Sequence, residues 1–179
     1  MASSKRYSDG NGIRITCTGE ADLKLTRVEL GCSAVRKLPP AGSAAAKLLN
    51  LIRDFVKGKS VSLPPEVLDL SLFTDFELKI LQMLRCKVPR GKVISYANLA
   101  AMSGSPRSAR AVGGVMRRNL FPLFLPCHRV IASDGTLGGF MGETGAGCSG
   151  PALKKQLLLN EGVVFLPSGK VAAESIIRL

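Results

Sequence analysis

Residues 95–118 read SYANLAAMSGSPRSARAVGGVMRR, and this stretch decides the fold. Ser95 is a good helix cap for a short helix running through Met102. Ser103-Gly104-Ser105-Pro106 then forms a turn, and a second helix is expected from about Arg107 to Arg118. Helix, tight turn, helix is the helix-turn-helix pattern. The second helix carries Arg107, Arg110, Arg117 and Arg118 beside Ala109, Ala111, Gly113 and Gly114. It is small and positively charged, which lets it approach a duplex closely. The same charges would also suit a solvated helix face.

Upstream, Thr74 can cap a helix whose Phe76, Ile80, Leu81 and Leu84 form one face, ending before Pro89-Arg90-Gly91. Before it the chain changes character. Ile13-Arg14-Ile15-Thr16-Cys17 alternates, and Leu23 to Val35 continues the alternation around Gly31, which predicts two or three antiparallel strands between Gly12 and Leu38. Pro39-Pro40-Ala41-Gly42 is a turn. Ser43 caps a helix over Ala44 to Lys57, with Leu48, Leu49, Ile52 and Phe55 at helical spacing and an end near Gly58. Val61 to Leu72 is expected to be a strand interrupted by Pro64-Pro65. Downstream, Phe121 to Leu125 reads as a buried extended run, Gly135 to Gly150 as a glycine-rich loop, and Pro151 to Glu161 as a helix with Leu153, Leu157 and Leu158 inward. Val163 to Phe165 and Lys170 to Ala173 predict a small terminal hairpin. The fold class is therefore α+β (α/β in the broad sense). A small N-terminal antiparallel β-sheet domain with a helix spans residues 1–70, and a mainly helical domain with the helix-turn-helix spans 71–179.

At 179 residues with 46% hydrophobic side chains, the chain can fill one core or two small ones. Its 25 Lys and Arg against 13 Asp and Glu give a net charge of +12, which suits a polyanionic partner, nucleic acid ahead of a membrane surface. The apolar runs fall short of a membrane span, and the polar start Met1 to Gly12 lacks the apolar stretch of a signal peptide, so an intracellular protein is expected. Five cysteines (Cys17, Cys32, Cys86, Cys127, Cys148) at wide spacings make no CxxC pair and argue against a disulfide framework. With one histidine available, no structural metal and no cofactor is expected.

That histidine adjoins a cysteine in Leu125-Pro126-Cys127-His128-Arg129-Val130. A thiol attacks as the thiolate, so a working cysteine needs a base or a positive field, and His128, Arg129 and the basic background could supply both. In an extended segment neighbours point to opposite sides, so a bridging water is the expected link between His128 and Cys127 unless the backbone kinks. Cys127 could equally be an inert buried thiol. Pro126 fixes its own φ and keeps Leu125 out of helical geometry, or simply ends a strand.

Taken together, Pro126-Cys127-His128-Arg129-Val130, Arg110-Ala111-Val112-Gly113-Gly114, Asn119, Val93-Ile94-Ser95-Tyr96 and Leu99-Ala100 resemble the O6-alkylguanine-DNA alkyltransferases over roughly Phe73 to Gly162. The first seventy residues match only in kind, as the family's small ribonuclease-H-like sheet domain. The resemblance implies direct reversal of DNA damage. An alkylated guanine is flipped from the duplex and its O6-alkyl group, or less readily one on O4 of thymine, passes irreversibly to Cys127 in a single turnover. In these terms His128 acts through water as the base and Glu161 orients it. Tyr96 faces the purine N3, and Asn119 ties the recognition helix to the active-site segment. Arg110 is the finger that fills the vacated stack, while Ala111, Gly113 and Gly114, with Arg107 and Arg117, meet the DNA. Val130, Phe140, Met141 and Tyr96 line the substrate pocket, and the carbonyls of Cys127 and Val130 would accept from the guanine amino group. The implied partner is double-stranded DNA containing alkylated guanine, met by a monomer with no obligate protein partner and no membrane. The setting would be the nucleus in a eukaryote and the cytoplasm in a prokaryote.

Two departures stand out. Phe140 and Met141 replace a usual tyrosine and a frequent serine, which keeps stacking but removes a hydroxyl, and the loop from Glu143 to Gly150 is longer than usual, read as a surface insertion. Cys148 within it is read as an exposed spacer, and the zinc site of some relatives cannot be carried over because its histidines are absent. Beside the transferase stand two other readings: a module that recognises alkylated guanine without transfer, and a turnover thiol hydrolase using Cys127, His128 and Glu161, for which the +12 charge offers no reason.

Overall fold

The computed structural model describes residues 4–19, 22–31, 36–141 and 149–179. The chain divides into two compact units, Met1–Leu72 with Leu120–Phe124, and Phe73–Asn119 with Leu125–Leu179.

In the first unit, strands β1 (Lys5–Ser8), β2 (Ile13–Thr18) and β3 (Lys24–Leu30) form an antiparallel sheet in that order. The alternation predicted for β2 buries Ile13, Ile15 and Cys17 on one face, with Ile15 opposite Val28. Strand β1 has no counterpart in the sequence expectation, because Lys5 and Arg6 are exposed and no apolar alternation marks it. Residues 32–35, the end of the expected Leu23 to Val35 stretch, lie outside the described residues. Helix α1 (Ala44–Val56) starts where Ser43 accepts from the Ala46 amide, and it buries Leu48, Leu49, Ile52 and Phe55.

Two expectations fail in this unit. No strand forms over Val61 to Leu72; the segment makes 3-10 turns at Pro65–Val67 and Leu70–Leu72 and, among the described residues, a single bridge, Leu25 with Leu68. Pro64 and Pro65 fix φ and lack the amides that a ladder needs. The run through Phe121 is buried, as expected, but it is turned rather than extended. Leu123 adopts φ 77, a left-handed conformation that reverses the chain and lets Phe121, Leu123 and Phe124 all point inward. The Val28 amide donates to Leu120 O at 2.9 Å and ties this run to β3.

In the second unit, helix α2 (Asp75–Lys87) begins with a reciprocal capping box between Thr74 and Glu77. Ile80, Leu81 and Leu84 are buried, whereas Phe76, expected on that face, is 39% exposed because it lies in the first turn. Strand β4 (Val93–Ser95) leads into α3 (Tyr96–Met102), whose first turn Ser95 caps by accepting from the Asn98 amide. After the turn, α4 (Ala109–Arg118) starts two residues later than expected, leaving Arg107 in the turn. Helix α5 (Ser149–Asn160) follows β5 (Val130–Ile131), and β6 (Ile176–Ile177) closes the chain.

The strands β5-β4-β6 form a small parallel sheet inside this otherwise helical unit. Strands of two or three residues cannot show alternation, so the sequence gives no signal for them. Val93, Ile131, Leu158, Val163 and Val171 make the core beside this sheet. Of the terminal hairpin one antiparallel bridge forms, Phe165 with Val171. The inward face of α5 also differs from expectation: Leu157 and Leu158 are buried, but Leu153 is only half-buried, and Lys154 is fully buried instead. Among the described residues, no helix is long and apolar enough to cross a membrane.

Candidate active site

Cys127, His128 and Arg129 form one 3-10 turn, and all three side chains are buried. Pro126 precedes the turn at φ -76 and ψ 64, the Cys127 amide donates to Leu125 O at 2.7 Å, and the Arg129 amide donates to Pro126 O at 2.9 Å. The backbone therefore kinks here, in place of the extended segment considered from the sequence. The turn delivers three consecutive polar side chains into a closed site at the entrance to β5.

His128 Nε2 meets Glu161 Oε1 at 3.0 Å. Arg129 grips the same carboxylate as a fork, Nε to Oε2 and Nη2 to Oε1, each at 2.8 Å, and its Nη1 donates to Val88 O at 2.8 Å. Glu161 follows α5 directly, where its amide donates to Leu157 O and Leu158 O, and Gly162 at φ 88 supplies the left-handed residue that ends the helix. Burial would raise the Glu161 carboxyl, but the hydrogen bonds from His128 and Arg129 outweigh it and hold the group at about 2. Burial pushes His128 below its ordinary range against the pull of Glu161, so the imidazole is neutral. A neutral ring donating from Nε2 to the carboxylate keeps its acceptor at Nδ1, the tautomer a base needs.

Burial also raises the Cys127 thiol, opposed first by a hydrogen bond from Asn119, then by the positive charge of Lys154 and by the backbone amides of Cys127 and His128. Asn119 caps the end of α4, and its Nδ2 donates to Leu125 O at 2.7 Å, so one side chain joins the helix to the segment carrying the cysteine. Lys154 donates to Val130 O and Leu137 O at 2.6 Å each and to Gly139 O at 3.3 Å. The sequence reading gave Arg129 only a general electrostatic role and missed Lys154. Its signal was there: Lys154 lies three and four residues before Leu157 and Leu158, on their face of the helix.

Tyr96 is the first residue of α3, and burial together with Cys127 raises its phenol. Gly138 faces it at φ +65, a left-handed conformation that favours glycine, and a Cβ there would make only ordinary contact with Tyr96 Cε2 and Oη, at 3.8 Å. Val130 and Phe140 are buried, and Met141 is half-buried at φ 53. The longer loop with Cys148 lies, over residues 142–148, outside the described residues.

On α4, Val112, Val115 and Met116 face inward, while Arg110, Ala111 and Arg117 are exposed. A Cβ on Gly113 would meet nothing within 4 Å, whereas one on Gly114 would come within 3.2 Å of Arg118 Nη1, which would have to give by a few tenths of an ångström. Gly113 is therefore not required by packing inside the unit, and the two glycines leave a low helix surface beside the exposed Arg110 and Arg117. Arg118 is held by Glu77, with Nε at 3.0 Å and Nη2 at 2.9 Å from Oε1.

Residues 75–163 match the family described as 6-O-methylguanine DNA methyltransferase, DNA binding domain. Among curated proteins, the methylated-DNA--protein-cysteine methyltransferase of Methanothermobacter thermautotrophicus is 44% identical over 121 residues, 67% of this chain and 62% of that protein. The human protein of the same name is 46% identical over 87 residues, 49% of this chain and 39% of that protein. The chain thus spans less than two thirds of the length of either relative. The crystal structure of Mycobacterium tuberculosis OGT in complex with DNA superposes with a TM-score of 0.64 at 26% identity, covering 89% of this chain and 92% of that one. The O6-methylguanine-DNA methyltransferase of the hyperthermophilic archaeon Pyrococcus kodakaraensis gives 0.60 at 26% identity, over 91% and 100%. With the cysteine turn, the helix pair and Glu161 all inside the matched residues, residues 75–163 of this chain belong to the 6-O-methylguanine DNA methyltransferase family, DNA binding domain.

Proposed function

We propose that the protein repairs alkylated DNA by transferring the alkyl group from O6 of guanine to Cys127, once and irreversibly. The observation that carries this reading is a buried cysteine one residue from a neutral histidine, itself oriented by an ionised Glu161, in the unit that holds the helix-turn-helix.

The chemistry follows from the parts. His128 accepts the thiol proton through water, and the thiolate attacks the alkyl carbon in line with the departing oxygen. The sulfur–carbon bond forms as the O6–carbon bond breaks, and the electron pair goes to the purine, where a proton from the Tyr96 phenol reaching N3 stabilises it. The product thioether has no leaving group comparable to guanine, so the protein is spent. Arg110, exposed on α4, enters the stack in place of the flipped nucleotide, and Ala111, Gly113 and Gly114 let the helix approach the groove, with Arg107 and Arg117 on phosphate. Phe140, buried, offers the ring face against the base, and Val130 and Met141 complete the pocket. The protein acts as a monomer on duplex DNA inside the cell, consistent with free thiols at Cys17, Cys86 and Cys127.

The test is intact-protein mass after incubation with excess duplex bearing one O6-methylguanine, followed by peptide mapping. One methyl group per protein, on Cys127 and absent from Cys127→Ala, is the expected result. Tight lesion binding with no mass gain would replace this reading with lesion recognition without chemistry.

A further inference from the structure

The mechanism above makes no use of the buried cation beside the cysteine. Lys154 is 0% exposed, an expensive place for an ammonium group. Its three hydrogen-bond partners among the described residues are backbone carbonyls, and they come from two different segments: Val130 on β5, and Leu137 and Gly139 in the loop that faces Tyr96. Among the described residues no carboxylate pairs with it, and Glu161 is held by His128 and Arg129. A lysine placed only to join two segments could be replaced in function by a neutral donor. The groups that its charge influences are the Cys127 sulfur, on the turn against which α5 packs, and the His128 imidazole on the same turn, where, after burial and Arg129, it is the last of the causes that lower the ring.

We infer that Lys154 is a positioning residue for alkyl transfer: its ammonium fastens the carbonyls of Val130, Leu137 and Gly139 into one pocket wall and supplies the positive charge against which the Cys127 sulfur ionises. This rests on the alkyltransferase reading for its biological sense but not for its test. The two roles are linked. The carbonyl dipoles hold the ammonium in place while Cys127 is a neutral thiol, and the thiolate becomes its counter-charge when the proton leaves. The other titratable groups around the pair are Tyr96, which Cys127 influences, and the His128, Arg129 and Glu161 cluster. Burial lowers Lys154 to about 8 against the pull of Cys127, so the charge is present at neutral pH, and a thiolate at Cys127 helps to keep it.

The experiment is the rate of Cys127 labelling by iodoacetamide against pH, read by peptide mass spectrometry on the full chain without DNA. Lys154→Met keeps an unbranched chain of similar length and removes the charge, and Lys154→Arg keeps the charge. The midpoint of the profile is expected to rise in Lys154→Met, each unit of rise meaning about tenfold slower labelling at a fixed pH below it. Lys154→Arg is expected to keep the midpoint near that of the unchanged protein. A purely structural lysine would change stability and leave the midpoint where it was, so an unmoved midpoint in folded Lys154→Met overturns the inference. Should Lys154→Met fail to fold, Lys154→Gln decides, since it keeps a donor for the carbonyls and removes the charge: a raised midpoint supports the inference and an unmoved one overturns it. Failure of methyl uptake from modified duplex by the unchanged protein would overturn the alkyltransferase reading alone, since the labelling profile needs no DNA.

Discussion

Replacing Glu161 by glutamine should abolish most of the acid sensitivity of the second unit. The Glu161 side chain is 2% exposed and accepts three hydrogen bonds, at 3.0, 2.8 and 2.8 Å. Its carboxyl stands at about 2 in the folded protein against 4.5 when free. Because the folded value is the lower one, the native state gains stability above the free value and loses it as pH falls toward the folded one. A difference of that size amounts to about 3 kcal/mol in all, of which about 2 kcal/mol is gone by pH 3. A second route gives a similar figure: leaving Arg129 buried without its counter-charge costs about 3–5 kcal/mol at neutral pH. The assay is urea unfolding at pH 7 and pH 3. The chain has no tryptophan and two tyrosines, Tyr7 and Tyr96, so in a Tyr7→Phe background tyrosine fluorescence reports the second unit alone. Glu161→Gln is expected to be weaker than its parent at pH 7 and to lose little more by pH 3. If both proteins lose the same free energy between the two pH values, the ionised carboxylate is not what holds this site together.

Gly113→Ala should stabilise the free protein by about 1 kcal/mol in thermal or urea unfolding, since its Cβ meets nothing within 4 Å and alanine favours helix, yet weaken duplex binding measured by anisotropy. Gain of stability without loss of affinity would remove α4 from the DNA interface. Arg110→Ala should leave the iodoacetamide profile of Cys127 unchanged while slowing methyl uptake from duplex much more than from the free base. Asn119→Ala loses the 2.7 Å bond to Leu125 O, about 1 kcal/mol, and should shift Cys127 labelling toward higher pH, because the amide lowers the thiol.

Legibility in the sequence followed the reach of each signal. Local rules placed Ser43, Thr74 and Ser95 at helix starts, because a cap is decided within three residues. Period-two burial revealed β2, but β4, β5 and β6 are too short to show any period, and the exposed Lys5 and Arg6 mask β1. Pro64 and Pro65 were visible, and the apolar residues around them outweighed two prolines that a ladder could not absorb. At the site, Cys127, His128, Asn119, Tyr96 and Glu161 came from an ordered motif. Lys154 did not, because a lysine on an apolar helix face is legible only once the carbonyls of Val130, Leu137 and Gly139 are known to converge on it. The Arg129 fork was hidden for the same reason: its partners, Glu161 and Val88, lie 32 and 41 residues away.

The five residues Leu120–Phe124 belong to the first unit although both flanks belong to the second, so the chain crosses twice between Asn119 and Leu125. No single cut of the gene can therefore separate the two units. A fragment beginning at Phe73 would carry Phe121, Leu123 and Phe124 as an apolar loop stripped of its partners, a ready nucleus for aggregation, whereas a fragment ending at Leu72 would keep β3 but lose the carbonyl its Val28 amide needs. Shuffling of the N-terminal half between relatives would have to carry this short passage along with it. A graft that replaced residues 1–72 alone would load its misfit onto Leu125, the residue whose carbonyl Asn119 holds two positions before the reactive sulfur.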